Sequence, residues 1–320
     1  MSGRIGLLGS VGLALESTWG EPAEATRYIE VTQADVRPVI QQEIPRVVCG
    51  TRARKGIRRG GILCAGPLNF DVCAGGMGEV LMAAFGTVTT TLVASSAAGR
   101  VYEHAFTRCD TTFLPSLTVE QNMGGVKSRQ VSGIRVNQLT LSLSARGSLT
   151  ADVDCRGRDE ALITPTSPSY PVDEALPFEG FTAEVDGEEN TGVEEFLVRF
   201  GNGLVDDVWT AGGASLGTLP AGSFSVGGRM MMAFESTDAH KRFVNGEATG
   251  LRFGIAGPSV VGTWGYGLVI ELPHVRYVSA TAPLVPKRLT YDIAFEALLD
   301  TSQSPPVDAV CRLWNSEAGY

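Results

Sequence analysis

The sequence predicts a mainly β protein built as two tandem units, each carrying one short flanking helix. Three observations carry that reading. Apolar and polar residues alternate with period two along many short runs. Glycine is frequent, at 39 residues of 320, with no collagen-like period, as turns between strands require. The same order of elements occurs twice along the chain. The length suits two domains of ordinary size, and 43% hydrophobic residues lets each bury a core.

The elements follow in order. Ile62 to Val72 reads as a strand after a turn rich in basic residues. Met77 to Phe85 sets Val80, Leu81, Ala84 and Phe85 on one helical face, and Gly86 stops it. Leu117 to Glu120 is a further strand. Leu139, Leu141 and Leu143 alternate with Thr140, Ser142 and Ser144, and Leu149, Ala151 and Val153 with Thr150, Asp152 and Asp154. Arg146-Gly147 joins them, so Ile134 to Val153 closes the first unit as a hairpin with one polar face. In the second unit Phe196 to Phe200 and Ser223 to Phe234 are strands around a long loop. A helix from Thr237 to Val244 follows, capped by Thr237 or Ser236 and ended by Gly246. Leu251 to Ile255 and a closing pair from Leu268 to Leu298 complete it, with Tyr291, Ile293 and Phe295 opposite Thr290, Asp292 and Glu296. The segment Thr164-Pro165-Thr166-Ser167-Pro168-Ser169-Tyr170-Pro171 cannot continue a sheet and reads as a linker. The units are therefore placed at 1–165 and 166–320. Chance similarity of two β-rich halves is the plain alternative.

Composition narrows the functions. A net charge of -9 gives no overall basic excess for gripping duplex DNA. Only 19% of residues are charged, as in a surface covered by partners or in a glycine-rich monomer with large cores. The six cysteines, Cys49, Cys64, Cys73, Cys109, Cys155 and Cys311, show no C-x-x-C spacing and read as reduced thiols. Met1 to Leu15 has a glycine-broken centre and no small-residue cleavage site, so no signal peptide is expected. No run reaches the length of a membrane helix.

Catalytic and metal chemistry finds little support. Gly213-Ala214-Ser215-Leu216-Gly217 matches a nucleophile-elbow pattern, yet Gly212 precedes it and Thr218-Leu219-Pro220 follows, where no helix can start. Gly75-Gly76-Met77-Gly78 opens a helix but lacks the lysine of a phosphate loop. His104, His240 and His274 have no metal-ligand spacing, so no metal or cofactor is expected. Asp206-Asp207, Glu188-Glu189 and Glu194-Glu195 place neighbours on opposite strand faces, which makes poor catalytic dyads. Trp19, Trp209, Trp264 and Trp314 are scattered, unlike the aromatic platform of a carbohydrate-binding β-sandwich.

Several blocks then resemble, in order, the tail tube proteins of long-tailed bacteriophages. They are Leu15-Glu16-Ser17-Thr18-Trp19-Gly20-Glu21 with Arg27-Tyr28-Ile29, the basic run Arg52 to Gly60, Pro67-Leu68-Asn69-Phe70 and Gly78-Glu79-Val80-Leu81. Tyr102 to Phe106, Leu114 to Val119, Gly133 to Asn137 and Gly157 to Glu160 follow. Arg242 to Glu247 and Leu272 to Arg276 extend the resemblance into the second unit. It implies a β-sandwich or half-barrel with one helix, repeated. It also implies a duplicated-domain tube protein, three copies forming a ring of six lobes. Implied partners are the chain itself, a tape-measure protein, tail terminator and distal tail proteins, and DNA in passage. The implied place is the virion tail after synthesis in the host cytoplasm, without membrane insertion. The rival is the tube of a secretion or contractile injection device, whose proteins are usually shorter and single-domain.

Two sets of site residues are expected from this. Arg52, Arg54, Lys55, Arg58 and Arg59 would contact acidic loops of the next ring, around Asp206 and Asp207. The polar faces of the closing hairpins would line the channel, with Asp152, Asp154 and Asp292 as carboxylates that repel phosphate.

Overall fold

A computed structural model describes residues 5–97, 99–284, 286 and 288–320. The N-terminal half runs β1 (Ser10–Leu15), β2 (Arg27–Ile29), β3 (Gln33–Ala34), β4 (Arg37–Glu43), β5 (Arg58–Asp71) and α1 (Gly78–Phe85). It continues with β6 (Gly86–Ser96), β7 (Gly99–Arg108), β8 (Leu117–Asn122), β9 (Ser128–Leu143), β10 (Thr150–Gly157) and β11 (Asp159–Ile163). The C-terminal half runs β12 (Phe181–Val185), β13 (Glu188–Glu189), β14 (Val193–Gly201), β15 (Ser225–Ala233) and α2 (Asp238–Asn245). It ends with β16 (Ala248–Val261), β17 (Trp264–Thr281), β18 (Thr290–Ala297) and β19 (Val310–Asn315). The mainly β expectation and both helices hold. Each helix ends at a glycine in the left-handed region, Gly86 (φ 87°) and Gly246 (φ 64°), which terminates it without a Cβ penalty.

Eight strands form one antiparallel sheet in the order β4-β5-β10-β9-β14-β15-β18-β17. Its two halves correspond strand for strand. β4 and β14 each precede a long connection, β5 and β15 lead into the helices, and β10 and β18 close against the long strands β9 and β17. Along these strands Leu139, Leu141, Val153, Val198, Phe200, Ile293 and Phe295 are buried on one face. Against that face lie α1 and the outer strands. β2, β1, β8, the first part of β9, and β11 make one outer layer. β6, β7, β19, the first part of β17, β16 and β12 make the other.

β9 and β17 serve both layers by bending. In β9 the bend falls at Gly133 (φ 68°), where a Cβ would lie 2.9 Å from the Arg158 side chain and 3.1 Å from Trp19 Nε1. Among the described residues two strand pairings cross between the halves, β9 with β14 and β7 with β19, isolated bridges such as Ile62 with Ser215 add to them, and one continuous apolar core spans them. The Thr164–Pro171 segment carries no strand, as its prolines predict, but it is tied down. Thr166 donates from its N–H and hydroxyl to the Glu120 carboxylate at 3.0 and 2.7 Å.

Candidate assembly surfaces

The outward face of the eight-stranded sheet is polar across both halves. One register row reads Asn69, Asp152, Thr140, Arg199, Gly227, Glu296, Arg276. Asp152, Asp154 and Asp292 all stand on this face, alternating with buried Ala151, Val153, Tyr291 and Ile293. The three carboxylates differ in company. Asp154 accepts from Asn137 Nδ2 at 2.7 Å and pairs with Arg156. Asp292 takes a two-pronged contact from Arg229, its diagonal neighbour across β15 and β18. Asp152 is exposed and has no ion pair among the described residues. The face is thus of mixed charge, with Arg199, Arg229 and Arg276 set among the carboxylates. Sequence alternation located the acids; the arginine partners come from strand neighbours that periodicity does not reveal.

β4 and β5 form a long hairpin whose tip spans 44–57. Arg58 and Arg59 lie in the strand, opposite Glu43 and Gln42, and not in a turn as the basic run suggested. Between residues 37 and 59 the sequence has seven cationic residues and one acid, against a chain total of -9, so this hairpin is the basic region of an acidic protein. Arg52, Arg54, Lys55, Arg58 and Arg59 are all exposed, and none forms an intrachain ion pair among the described residues. Val47 and Val48 are exposed beside them. A basic and apolar projection of this kind has the make-up of a contact surface.

The matching connection in the second half, 202–224, behaves differently. It folds down onto the first half. Ile62 N–H donates to Ala214 O (2.8 Å), Ala221 N–H to Thr112 O (2.8 Å), and Leu204 N–H to Asn137 Oδ1 (3.1 Å). Asp206 accepts from Arg156 Nε at 3.3 Å within the same chain, whereas Asp207 is exposed. The five cations and this acid pair are not in contact with one another within the chain. Ser215 donates its hydroxyl to Asp159, so the nucleophile-like motif is a loop anchor.

Several of the blocks that carried the resemblance converge on one hub. Glu16 Oε1 accepts from Thr118 Oγ1 (2.8 Å) and Gly133 N–H (2.7 Å). Its Oε2 accepts from Ser116 Oγ (2.7 Å) and Gly20 N–H (2.9 Å). Trp19 Nε1 donates to Gly133 O at 2.9 Å, and the Arg158 guanidinium lies 5.2 Å from the Trp19 ring centroid. Arg135 sits between Trp19 and Phe113 at 5.4 and 5.2 Å. It donates to Leu114 O (2.8 Å) and to Leu219 O of the folded loop, joining the halves. Burial without a bonded carboxylate pulls its pKa down to about 10. No spacing rule points to the contacts of Glu16 and Trp19 with Ser116, Thr118 and Gly133, whose partners lie 100 to 117 residues apart.

The remaining titratable groups are structural. His104 Nε2 meets Asn315 Oδ1 at 3.0 Å and Nδ1 meets Thr90 Oγ1 at 2.9 Å. Burial lowers its pKa, so it stands as a neutral ring across the β7–β19 pair. Burial pushes Cys64 and Cys155 up to about 12, far from thiolate reactivity at neutral pH. The Gly75 N–H before α1 donates to Asp173 Oδ2 at 2.7 Å, so the chain supplies its own anion at that turn. Among the described residues no cluster of His, Cys, Asp and Glu could hold a metal ion, and no helix is long and apolar enough to cross a membrane. No curated protein matches the chain. A family model described as phage tail tube protein matches residues 6–297.

Proposed function

We propose, on the premise that the chain belongs to the phage tail tube protein family, that three copies close into a ring with pseudo-sixfold symmetry and that rings stack into the tail tube. Membership makes the protein a structural component of the virion tail. The observation that carries the ring is the eight-stranded sheet, with a polar face across both halves and strand edges at β4 and β17. An open edge invites a further strand, and a head-to-tail contact that closes by rotation gives a ring. Two corresponding halves per copy then supply six lobes.

In this reading the polar sheet face lines the channel and Asp152, Asp154 and Asp292 lie in its wall. Two of these acids already hold arginines, so the wall neither binds phosphate strongly nor repels it uniformly. DNA passes along it during delivery, after a tape-measure protein has vacated it. Tail terminator and distal tail proteins cap the two ends. Synthesis takes place in the host cytoplasm, and no catalytic step is assigned. The basic hairpin tip reaches the next ring, where Asp207 offers the more open carboxylate because Asp206 is held by Arg156.

Negative-stain microscopy of the purified chain tests this. Rings or tubes of even bore are expected for the wild type. The Arg58→Glu, Arg59→Glu double variant is expected to keep the wild-type melting curve and form rings that do not stack. Dispersed single particles of the wild type at every concentration and salt would overturn the proposal.

A further inference from the structure

The chain holds one copy of a contact that its own repetition leaves unmade elsewhere. Within the chain, the first half ends its sheet at β9 and the second half adds β14 to it, with Thr140 opposite Arg199 and Ser142 opposite Leu197. Behind that seam Asn202 Nδ2 donates to Ala84 O at the end of α1 and to Val136 O, at 3.0 and 2.9 Å. Phe85 of α1 packs on Phe200 at 4.9 Å between ring centroids. At the far side of the second half, β17 corresponds to β9 and α2 to α1. There the end of β17 has no strand beyond it among the described residues, Val278 is 53% exposed, and Val244 of α2 is 64% exposed.

The strand that corresponds to β14 is the β3–β4 run of the first half. Its outer side borders a groove of about 1000 Å³, lined by Leu7, Val31 and Met123 together with Glu30, Gln33 and Arg129 among others. A strand end that exposes Val278 and a groove of mixed apolar and polar lining beside an open edge thus lie at opposite ends of the same sheet. The backbone available along this edge is short. Gln121 already serves both backbone groups of Val36, accepting its N–H at 3.1 Å and donating to its carbonyl at 2.6 Å. Pro38, two residues on, has no N–H to give.

We infer that a second copy of this chain docks here, the end of its β17 and the residues just after it (279–284) lying along residues 30–35 of the first. The internal repeat fixes the register. Counting back from Gly86 and Gly246, Asn69 corresponds to Arg229. Through their strand partners, Ser142 corresponds to Thr281, Thr140 to Ser279, Leu197 to Gln33 and Arg199 to Asp35. Copying the β9–β14 seam therefore sets Thr281 of one copy opposite Gln33 of the next, and Ser279 opposite Asp35. Pro38 of the docked copy takes the place beside α2 that Asn202 holds beside α1, and covers Val244. Leu284, 95% exposed in the single chain, enters the groove. This inference rests on the ring reading and adds to it the edge, the register and the groove.

Disulfide trapping tests it. In a background with Cys49, Cys73 and Cys109 changed to Ser, the variant Gln33→Cys with Thr281→Cys is oxidised and separated under denaturing conditions. Both positions are exposed, so the fold tolerates them. A ladder ending at covalently closed trimer is expected. The same link should form when the two single variants are mixed, which places it between copies. Gln33→Cys with Ala280→Cys should give no ladder, since Ala280 points to the other face of the strand. Rings seen by microscopy with no link in the 33/281 variant would overturn the docking register and leave the ring reading standing. Absence of both rings and links would remove both. A stronger link from the 33/280 pair would show the strand slipped by one residue.

Discussion

α1 and α2 hold the same place in the two halves and have opposite surroundings. α1 is buried at all but one of its eight positions, and its sequence, GEVLMAAF, is nearly all apolar or small. α2, DAHKRFVN, buries only Ala239. The connections between the preceding strands differ in the reverse sense. The 44–57 tip of the first half stands in solvent, whereas the 202–224 loop of the second folds onto its neighbour and delivers Asn202 and Leu219 to the seam. The 202–224 loop is covered by the first half, and α1, packed mainly on β9, β6, β7 and β1 of its own half, is closed at its end by Phe200 and Asn202 of the second; α2 and the 44–57 tip have no such cover among the described residues. In the proposed ring, the chain is a repeating unit closed at one seam and open at the other. The exposure on α2 and on the hairpin is assembly surface in that proposed ring.

The comparison is sharpened most by paired truncations in the helices. Leu81→Ala empties a fully buried site and is expected to cost about 2–5 kcal/mol in denaturant unfolding. Val244→Ala in the free chain is expected to stay within about 0.5 kcal/mol of wild type, as exposed substitutions do. Equal losses would mean that α2 is as well supported as α1, and the contrast would collapse. A smaller effect is expected at the seam. Asn202→Ala leaves two buried carbonyls without their donor and should cost about 1–3 kcal/mol by the same measurement. A neutral result would show that Asn202 adds nothing to the strand pairing, core packing and loop contacts that join the halves.

The smallest effect concerns the second seam. His104 bridges Thr90 and Asn315 as a neutral ring, and its pKa lies below the ordinary value. Its contribution is therefore fully present above about pH 6.5, the unfolded value, and is lost as pH falls below that. Melting temperature should fall between pH 7 and pH 5 by less in His104→Gln than in wild type. Identical slopes in the two proteins would remove His104 from the account.

Much of this architecture was legible in the residues, for local reasons. Gly86 and Gly246 mark helix ends by a backbone conformation that other residues avoid, and the Leu139–Val153 hairpin shows itself by alternation. Strand pairing between halves was not legible. Phe196, Val198 and Phe200 announce a strand but not that its neighbour is β9, because a period of two says which face is buried and nothing about which edge is joined. The same limit hid the arginines. Asp292 and Arg229 are sixty-three residues apart and meet only because β15 and β18 are neighbours. Arg58 and Arg59 were read within a basic turn, yet they continue β5, since the tip closes earlier, around residues 44–57.

The central claim is that two unlike halves make one repeating unit of a ring. Native mass spectrometry of rings released from assembled tubes tests it most directly. The account predicts a closed species of three times the 33.8 kDa chain mass, with no closed ring of higher copy number. A stable ring of six full-length chains would contradict it, because each half would then fail to act as a lobe.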